Sequence, residues 1–320
     1  MKKLSRKEII AQNEISEIKE FNLGGYPQKV LIEGKSKNNP VVIFLHGGPG
    51  FPIPFSVGCR GLFPEITDKL TMVYWDQLGC GINDYPIDDS FTINHFVEMT
   101  IQLVKEIRQL FPNNKILLFG VSWGSILALK ASLECTELIN GIITYGQVLY
   151  ELTYNKDVYS ALENSSLSAK KKQELAQIKN NKTHTAKETK KIMGWVQKYT
   201  EGYNCKTGKK APLFPVIMGI LTSPDYKFKD FKAMVVNGCI KNKSLMKELI
   251  ETDLRKDFEQ VTTPYKILQG STDIVTSTTQ ISEFVTELNN PNITCKIIAN
   301  CGHYPNKNGM DEIIEIINQF

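Results

Sequence analysis

The feature that constrains this chain most is a sharp junction around Ser122, in the sequence Gly-Val-Ser-Trp-Gly. The residues before it, 115–119, form a short apolar run bounded by polar residues, which is typical of a buried strand. The residues after it, 123–133, combine alanines with apolar residues at helical spacing, which predicts a helix. A chain that passes directly from strand to helix turns tightly, and the two glycines that flank Ser122 leave room for that turn.

This junction makes Ser122 a candidate nucleophile. A serine at such a turn is held in a strained conformation, with its hydroxyl projecting above the edge of the sheet. The helix that follows directs its N-terminal amides and its positive dipole end to the same place. The alternative is an ordinary glycine-flanked turn, since the pattern arises by chance in roughly one chain in ten of this length. A base, an acid and an oxyanion hole elsewhere in the chain would favour the nucleophile.

Strands alternate with helices at both ends of the chain. The predicted strands are 15–23, 28–33, 40–45, 71–75, 115–119, 142–145, 265–270 and 294–298. The predicted helices in the same regions are 60–70, 92–110, 123–133, 277–288 and 311–320. This alternation predicts an α/β fold with a mostly parallel sheet, in which ligands bind at the carboxyl ends of the strands.

The middle of the chain differs in composition from both ends. Residues 151–255 are rich in lysine and show helical segments rather than strands. They hold 20 Lys and Arg against 11 Asp and Glu, a net charge of +9, whereas the rest holds 18 against 23, a net charge of −5. We therefore predict a core of residues 1–150 and 256–320, with a helical cap at 151–255 over the active site. The overall charge of +4 is too small to indicate nucleic-acid binding.

A glycine-rich loop follows the predicted strand at 40–45. Its sequence is His-Gly-Gly-Pro-Gly at residues 46–50, and such a backbone can approach a ligand closely. In hydrolases with a serine at a strand-to-helix turn, this loop and the residue after the serine supply two oxyanion-hole amides. We predict these to be the amides of Gly48 and Trp123, with Gly47 as a further substrate contact. A plain turn is the alternative, since the loop lacks the glycine spacing of phosphate-binding motifs.

Four histidines are available as the catalytic base. His303 is the best candidate, because it lies in a loop after the last predicted strand and completes the chain order Ser, acid, His. His46 heads the glycine-rich loop, and we expect it to brace that loop. His95 lies on a predicted helix and His184 in a polar surface stretch, so neither is favoured.

The acid that orients the base is predicted to be Asp273. This residue comes just after the strand at 265–270 and precedes His303 in the chain. Its carboxylate would accept a hydrogen bond from the imidazole and stabilise the imidazolium ion. The alternative role for Asp273 is that of a helix N-cap or turn residue. Asp257, which precedes the same strand, is a weaker candidate for the acid.

Composition indicates a reducing environment away from membranes. The seven cysteines show no CxxC pair and no zinc-like spacing, so we interpret them as mostly buried thiols of a reducing compartment. The N-terminal residues lack an apolar signal-peptide core, and the apolar stretch at 211–221 is too short to span a bilayer. We therefore expect a cytoplasmic protein. Cys80 and Cys301 lie in loops predicted near the site and are candidates for oxidation sensitivity, without the surroundings of a nucleophilic thiolate.

Three motifs together resemble the proline iminopeptidase (prolyl aminopeptidase) family of α/β-hydrolases. They are HGGPG at 46–50, DQLGCG at 76–81 and GVSWGS at 120–125. The resemblance covers residues 1–150 and 256–320. It implies an α/β-hydrolase fold, in which a mostly parallel eight-stranded sheet is flanked by helices and carries an inserted helical cap.

The resemblance also implies an activity. The family hydrolyses the peptide bond after an N-terminal residue, often proline, without metal or cofactor, and its triad matches Ser122, Asp273 and His303. The sequence departs from the family pattern at Val121, which replaces a second glycine, and at Asn83, where a serine is common. The family grips the free amine of its substrate with carboxylates of the cap, whereas the cap of this chain is basic.

The predicted function is that of a serine hydrolase acting through an acyl-enzyme, most closely an aminopeptidase of the proline iminopeptidase type on a small molecule or short peptide. The alternative is a carboxylesterase, amidase or lactonase acting on small esters or amides. A non-catalytic binding protein with the same fold is disfavoured by the intact Ser122, Asp273 and His303. Epoxide hydrolases and dehalogenases are disfavoured because they need a carboxylate at the serine position. We expect no metal, cofactor, nucleic-acid or membrane partner, and the oligomeric state stays open.

Overall fold

The computed structural model describes residues 4–181, 183–207, 213–236 and 239–320. Within these residues eight strands form one sheet: β1 (Ile15–Leu23), β2 (Tyr26–Gly34), β3 (Val41–Leu45), β4 (Thr71–Trp75), β5 (Ile116–Val121), β6 (Gly141–Tyr145), β7 (Tyr265–Gly270) and β8 (Ile293–Ile298). Their spatial order is β1-β2-β4-β3-β5-β6-β7-β8. The strand β2 is antiparallel to both of its neighbours, and all other neighbours are parallel. The predicted α/β fold with a mostly parallel eight-stranded sheet is confirmed.

Helices occupy most of the connections between strands. Those described are α1 (Arg6–Gln12), α2 (Pro64–Thr67), α3 (Ile93–Leu110), α4 (Trp123–Glu134), α5 (Lys156–Glu163), α6 (Ala169–Lys179), α7 (Ala186–Tyr199), α8 (Leu213–Leu221), α9 (Phe228–Val235), α10 (Lys243–Glu251), α11 (Arg255–Phe258), α12 (Thr278–Leu288) and α13 (Lys307–Gln319). Short 3₁₀ turns lie at Val57–Cys59, Thr136–Leu138 and Cys239–Lys241.

Helices cover both faces of the sheet. Side chains of a strand alternate between the two faces, so a strand that is apolar throughout needs a packing partner on each face. In β3, Val41, Ile43 and Leu45 belong to the hydrophobic cluster that contains side chains of α3, α4 and α12. Val42 and Phe44 belong to the cluster on the other face, with side chains of α2 and α13. Every residue of β3 is therefore buried, as its continuous apolar run predicts.

The helices α5 to α10 lie between β6 and β7 in the chain. A hydrophobic cluster joins α5, α6 and α7 around Trp195 and also includes Val275, which follows β7. The helix α8 packs instead against the segment that follows β3, through Ile220, and α10 contributes Leu245 to the main core. The division into a core and a cap at 151–255 stays a prediction.

Three further expectations concern the chain as a whole. Among the described residues, no helix has both the length and the apolar character needed to cross a membrane. The first two residues of the apolar stretch at 211–221 lie outside the described residues, and the rest of it forms α8. All seven cysteines are free, and five of them are buried, so the prediction of mostly buried thiols is confirmed.

Candidate active site

Ser122 lies between the end of β5 and the start of α4, as the sequence predicts. Its φ angle is 51°, in the left-handed region that residues other than glycine rarely adopt. Such strain costs about 1–3 kcal/mol and persists only where the surroundings impose it. Here the Ser122 amide donates to the carbonyl of Tyr145 at 3.0 Å, and its carbonyl accepts from the amide and hydroxyl of Ser125 at 2.8 and 2.6 Å. The serine is therefore fixed on both sides by backbone groups.

The two glycines of the motif allow three elements to meet at the serine. A Cβ atom on Gly120 would lie 2.5 Å from the carbonyl oxygen of Gly124. A Cβ atom on Gly124 would lie 2.8 Å from the carbonyl oxygen of His46 and closer still to that of Leu45, at the end of β3. Real Cβ atoms essentially never come within 3.0 Å of such atoms, so α4 can start at this point only with glycine at both positions.

A hydrogen-bonded chain runs from Ser122 through His303 to Asp273. The Nε2 atom of His303 lies 3.0 Å from the Ser122 Oγ, and its Nδ1 atom lies 2.9 Å from Oδ2 of Asp273. Asp273 follows β7 and His303 follows β8, so the parallel strands carry both loops to the edge where β5 ends. The His303 side chain is 11% exposed and the Asp273 side chain 0%. The three residues predicted as a triad are thus brought together.

The carboxylate of Asp273 is fixed by its own segment. Its Oδ1 accepts from the amides of Val275 and Thr276 at 2.8 and 3.1 Å. Its Oδ2 accepts from the Thr276 hydroxyl at 2.8 Å and from the Gln269 side-chain amide at 3.4 Å. These donors satisfy a carboxylate that is cut off from water, and they hold it towards His303. Sequence reasoning missed Thr276 and Gln269, although a hydroxyl three residues after the candidate acid was a usable signal.

Gly47, predicted as a substrate contact, and Trp123, predicted for the oxyanion hole, lie beside the serine. A Cβ atom on Gly47 would lie 3.3 Å from the carbonyl oxygen of Val121 and 3.6 Å from the Cβ of Ser122. Gly48 has a φ of 123°, which lets the loop turn away directly after this contact. Trp123 is the first residue of α4, and the first amides of a helix have no partner within the helix. The glycine-rich loop and the start of α4 therefore approach Ser122 from two sides.

His46 braces the glycine-rich loop, as predicted. Its Nε2 accepts from the amide of Gln77 at 3.0 Å, and its Nδ1 donates to the carbonyl of Gly47 at 2.8 Å. Gln77 also accepts from the indole nitrogen of Trp123 at 2.8 Å, so one turn holds both sides of the predicted oxyanion hole. Complete burial lowers the pKa of His46 from its ordinary 6.5 to about 4, and the imidazole is neutral at neutral pH.

The turn at 76–81 also connects the site to the helices between β6 and β7. Asp76 is fully buried, and its carboxylate accepts from the amides of Val57 and Ile82 at 3.0 Å each. The hydroxyl of Tyr226, between α8 and α9, donates to the same carboxylate. Burial raises the pKa of Asp76 to about 6, although these donors oppose the rise.

The other residues weighed in the sequence lie elsewhere. His95 is exposed at the start of α3, and His184 stacks on the ring of Tyr154 with centroids 3.7 Å apart. Asp257 lies in α11 and forms an ion pair with Lys130 at 3.0 Å, which removes it as the acid. The base that contacts Ser122 is His303, and the acid that contacts His303 is Asp273.

The two departures from the family pattern have different surroundings. Val121 lines a pocket beside His303, where its side chain occupies space that a glycine would leave open. Asn83 accepts from the amide of Lys29 at 2.8 Å and donates to the carbonyl of the same residue at 2.9 Å, which ties the turn at 76–81 to β2.

Neither cysteine near the site is a thiolate. Burial raises the pKa of Cys80 well above its ordinary value and also raises the pKa of Cys301. Both thiols are therefore protonated at neutral pH. Over the described ranges of the chain, no group of three or more His, Cys, Asp or Glu side chains is arranged to hold a metal ion.

An apolar pocket with a cavity volume of about 40 Å³ opens beside His303. Its walls include the rings of Phe44, Phe55 and Phe119 and the side chain of Met310. Of the described side chains that line it, none is a carboxylate. The pocket therefore suits an apolar group of a substrate whose reacting bond lies at the serine.

The loop of His303 is attached to the chain between β6 and β7. The amide of His303 donates to the carbonyl of Gly202 at 3.0 Å, and the amide of Tyr304 donates to the carbonyl of Tyr203 at 2.8 Å. The ring of Tyr203 lies 5.7 Å from the imidazole, measured between centroids. The position of the imidazole thus depends on a segment far from it in sequence.

Known proteins with a similar sequence agree with these features. A family model described as the alpha/beta hydrolase fold matches residues 40–309. A probable aminopeptidase, YbaC of Bacillus subtilis, is 34% identical over 162 residues, half of this chain and half of that protein. A proline iminopeptidase of Saccharolobus solfataricus is 32% identical over 124 residues, 38% of this chain and 37% of the relative. The chain thus matches half or less of these relatives' length, and the predicted resemblance to proline iminopeptidases is confirmed.

Solved structures are similar over nearly the whole chain. The crystal structure of VinJ matches with a TM-score of 0.64 at 17% identity, over 95% of this chain and 97% of that chain. The proline iminopeptidase of Mycobacterium smegmatis matches with a TM-score of 0.64 at 14% identity, over the same shares of the two chains. At such low identity these structures show a common fold.

Proposed function

The chain belongs to the alpha/beta hydrolase fold family, and from this premise we propose that it is a serine hydrolase that acts through an acyl-enzyme. The observation that carries the proposal is the chain of hydrogen bonds from Ser122 to His303 at 3.0 Å and from His303 to Asp273 at 2.9 Å. A serine hydroxyl is a weak nucleophile unless a base within hydrogen-bond reach takes its proton. The buried carboxylate behind the imidazole gives that base a fixed orientation.

In the proposed reaction Ser122 attacks the carbonyl carbon of an ester or amide, and the Nε2 of His303 takes the hydroxyl proton. Asp273 holds the Nδ1 proton and stabilises the imidazolium ion. The oxyanion of the tetrahedral intermediate accepts from the amides of Gly48 and Trp123, and one such donor contributes about 2.7–4 kcal/mol. His303 then passes its proton to the leaving group as the scissile bond breaks. Water repeats the sequence and releases the acid from the serine.

Within this class we propose an aminopeptidase of the proline iminopeptidase type, acting on a short peptide or a small amide. The names of the relatives support this activity. The apolar pocket beside His303 suits an apolar N-terminal residue such as proline.

A carboxylesterase, amidase or lactonase is the second candidate. It is favoured by the lining of that pocket, in which no described side chain is a carboxylate that could bind a free amine. The net charge of +9 between residues 151 and 255 also disfavours a cationic substrate.

We further propose that residues 151–255 form a cap over the site and that the protein works in the cytoplasm. The backbone contact between Gly202 and the loop of His303 supports the cap. Seven free cysteines fit a reducing compartment.

Labelling with a fluorophosphonate tests the serine chemistry. We expect the wild type to be labelled and Ser122→Ala to be unlabelled. The matched control is Ser132→Ala, which removes a buried hydroxyl from the same helix α4 and leaves the loops of the site unchanged. An unlabelled wild type, or equal labelling of Ser122→Ala, would refute the serine hydrolase.

A substrate panel separates the two candidate activities. It compares proline arylamide, other aminoacyl arylamides, their N-acetylated forms and short nitrophenyl esters. Turnover of arylamides only when the amine is free supports the aminopeptidase. Turnover of esters alone removes the aminopeptidase and supports the second candidate.

A further inference from the structure

A second pocket adjoins the one beside His303. Its cavity volume is about 180 Å³, larger than the 40 Å³ of the first. The two pockets share four wall residues, which are Pro54, Phe55, Tyr304 and Met310. The shared residues place the two pockets side by side, and His303 lines the first of them.

The second pocket lies along one face of α13. Lys307, Met310, Asp311 and Ile314 line it, whereas Met310 and Ile313 are the residues of this helix that line the first pocket. The two pockets therefore lie on adjoining faces of α13 and meet at Met310. The opposite wall includes Ile66 of α2 and Val216 of α8.

The chemistry of the second pocket changes from its depth to its mouth. Its walls near the first pocket are apolar, whereas Glu65, Lys307 and Asp311 are exposed. Lys307 and Asp311 pair with each other at 2.6 Å, which leaves little net charge for a ligand at that place. The helix α8 lines the pocket with Val216 and with Leu213, which is 37% exposed. Apart from the charged residues at the mouth and His303, the side chains that line the two pockets are apolar or aromatic.

We propose that the two pockets form one extended subsite, and that the natural substrate is an ester or amide carrying a linear apolar chain that runs from the serine to Ile314. The inference rests on the proposed serine hydrolase, and it favours the second candidate activity, an esterase or amidase, over the aminopeptidase. A compact substrate would use only the first pocket and leave the second filled with water against apolar walls. A chain that fills both removes that apolar surface from water, which is favourable.

Chain-length series test the proposal. Nitrophenyl esters from acetyl to decanoyl vary the acyl side, and acetate esters of the corresponding alcohols vary the leaving group. Each methylene that becomes buried contributes about 0.8 kcal/mol, which is up to about fourfold in kcat/KM. We expect kcat/KM to rise with length in one of the two series. Two flat series with a reactive acetyl ester would overturn the subsite and leave the serine hydrolase standing.

Variants on α13 locate the effect. Ile314→Trp fills the second pocket, and we expect it to reduce the ratio of kcat/KM for the octanoyl ester to that for the acetyl ester at least tenfold. The matched control is Glu315→Trp, which places the same side chain on the exposed neighbouring position and is expected to keep the wild-type ratio. Val216→Trp blocks the same pocket from the opposite wall and replaces Ile314→Trp if that variant does not fold. An unchanged ratio in a folded pocket variant would overturn the proposal.

A binding measurement distinguishes failure of the subsite from failure of the catalyst. Titration calorimetry with octanamide and with propanamide needs no turnover. We expect octanamide to bind wild-type protein and Glu315→Trp at least tenfold more tightly than propanamide, and Ile314→Trp to lose this preference. Equal affinities for the two amides would refute the subsite even if no ester is hydrolysed.

Discussion

The buried histidine of the glycine-rich loop makes the stability of the protein sensitive to acid. Burial lowers the pKa of His46 from 6.5 to about 4, a difference of roughly 2.5 units. A pKa difference of one corresponds to 1.36 kcal/mol, so keeping this imidazole neutral changes the free energy of unfolding by about 3 kcal/mol between high and low pH. Between these two pH values the unfolded chain binds a proton that the folded chain does not. The free energy of unfolding therefore falls as the pH is lowered from 6.5 towards 4.

Asp76 opposes this effect, because burial raises its pKa from 3.8 to about 6. The folded state then binds a proton more tightly than the unfolded state, so this residue adds stability as the pH falls from 6 to 3.8. The free energy of unfolding of the wild type, plotted against pH, contains the contributions of both His46 and Asp76. Comparison with His46→Gln isolates the histidine, since glutamine keeps an acceptor near Nε2 for the amide of Gln77 and does not titrate.

Urea unfolding followed by tryptophan fluorescence, at pH values from 4 to 7.5, gives the free energies. We expect the stability advantage of wild type over His46→Gln to shrink by about 3 kcal/mol between pH 7 and pH 4. If the difference in free energy of unfolding between wild type and His46→Gln stays constant within about 1 kcal/mol from pH 7 to pH 4, His46 is not a buried neutral imidazole.

Three further changes act on the same region. Thr276→Val removes a donor to Asp273, and we expect kcat to fall about 10- to 100-fold with little change in KM, with partial recovery in Thr276→Ser; unchanged kcat would contradict a positioning role. Gly124→Ala forces a Cβ atom onto the carbonyl of Leu45, so the purified variant should be unfolded by circular dichroism or lose several kcal/mol in urea. Tyr226→Phe removes a donor to a buried carboxylate and should cost about 1–3 kcal/mol in urea at pH 8, where that carboxylate is charged, and less at pH 5; equal costs at both pH values would argue against this linkage.

Strands buried on both faces were predictable because one local signal dominates them. The strands β4 and β7 coincide with the predicted 71–75 and 265–270. The strand β4 is a short, mostly apolar run, and β7 has apolar residues at positions 265, 267 and 268; both end where the chain becomes polar or glycine-rich. For such strands the sequence around the element contains nearly all the information that sets its limits.

The prediction of a helix at 60–70 was wrong in its extent. The structure has only α2 at Pro64–Thr67, after a 3₁₀ turn at Val57–Cys59. Gly61 has a φ of 70°, which interrupts a helix, and Pro64 begins the short one that remains. The helix α1 was not predicted, although the pattern Ser-x-x-Glu that forms its capping box was visible in the sequence.

The candidate triad could be predicted because each member follows the end of a strand. Ser122, Asp273 and His303 needed only the order of strands along the chain and the rule that parallel strands share one functional edge. The residues that hold them could not be found in this way. Gln77 lies 46 positions from Trp123, and their hydrogen bond exists only because β4 and β5 flank β3 in the sheet. Hydrogen bonds between such distant residues depend on the order of the strands in the sheet, which the local sequence does not reveal.

Two backbone hydrogen bonds join the loop of His303 to Gly202 and Tyr203. A motion that moves Gly202 and Tyr203 away from this loop must either break both bonds or draw the imidazole away from Ser122. We therefore expect the triad to be inactive in any conformation in which the imidazole has moved, and active when both bonds are formed. Amide hydrogen exchange at His303 and Tyr304 measures how often these two hydrogen bonds break, because the amide protons are protected only while the bonds are formed.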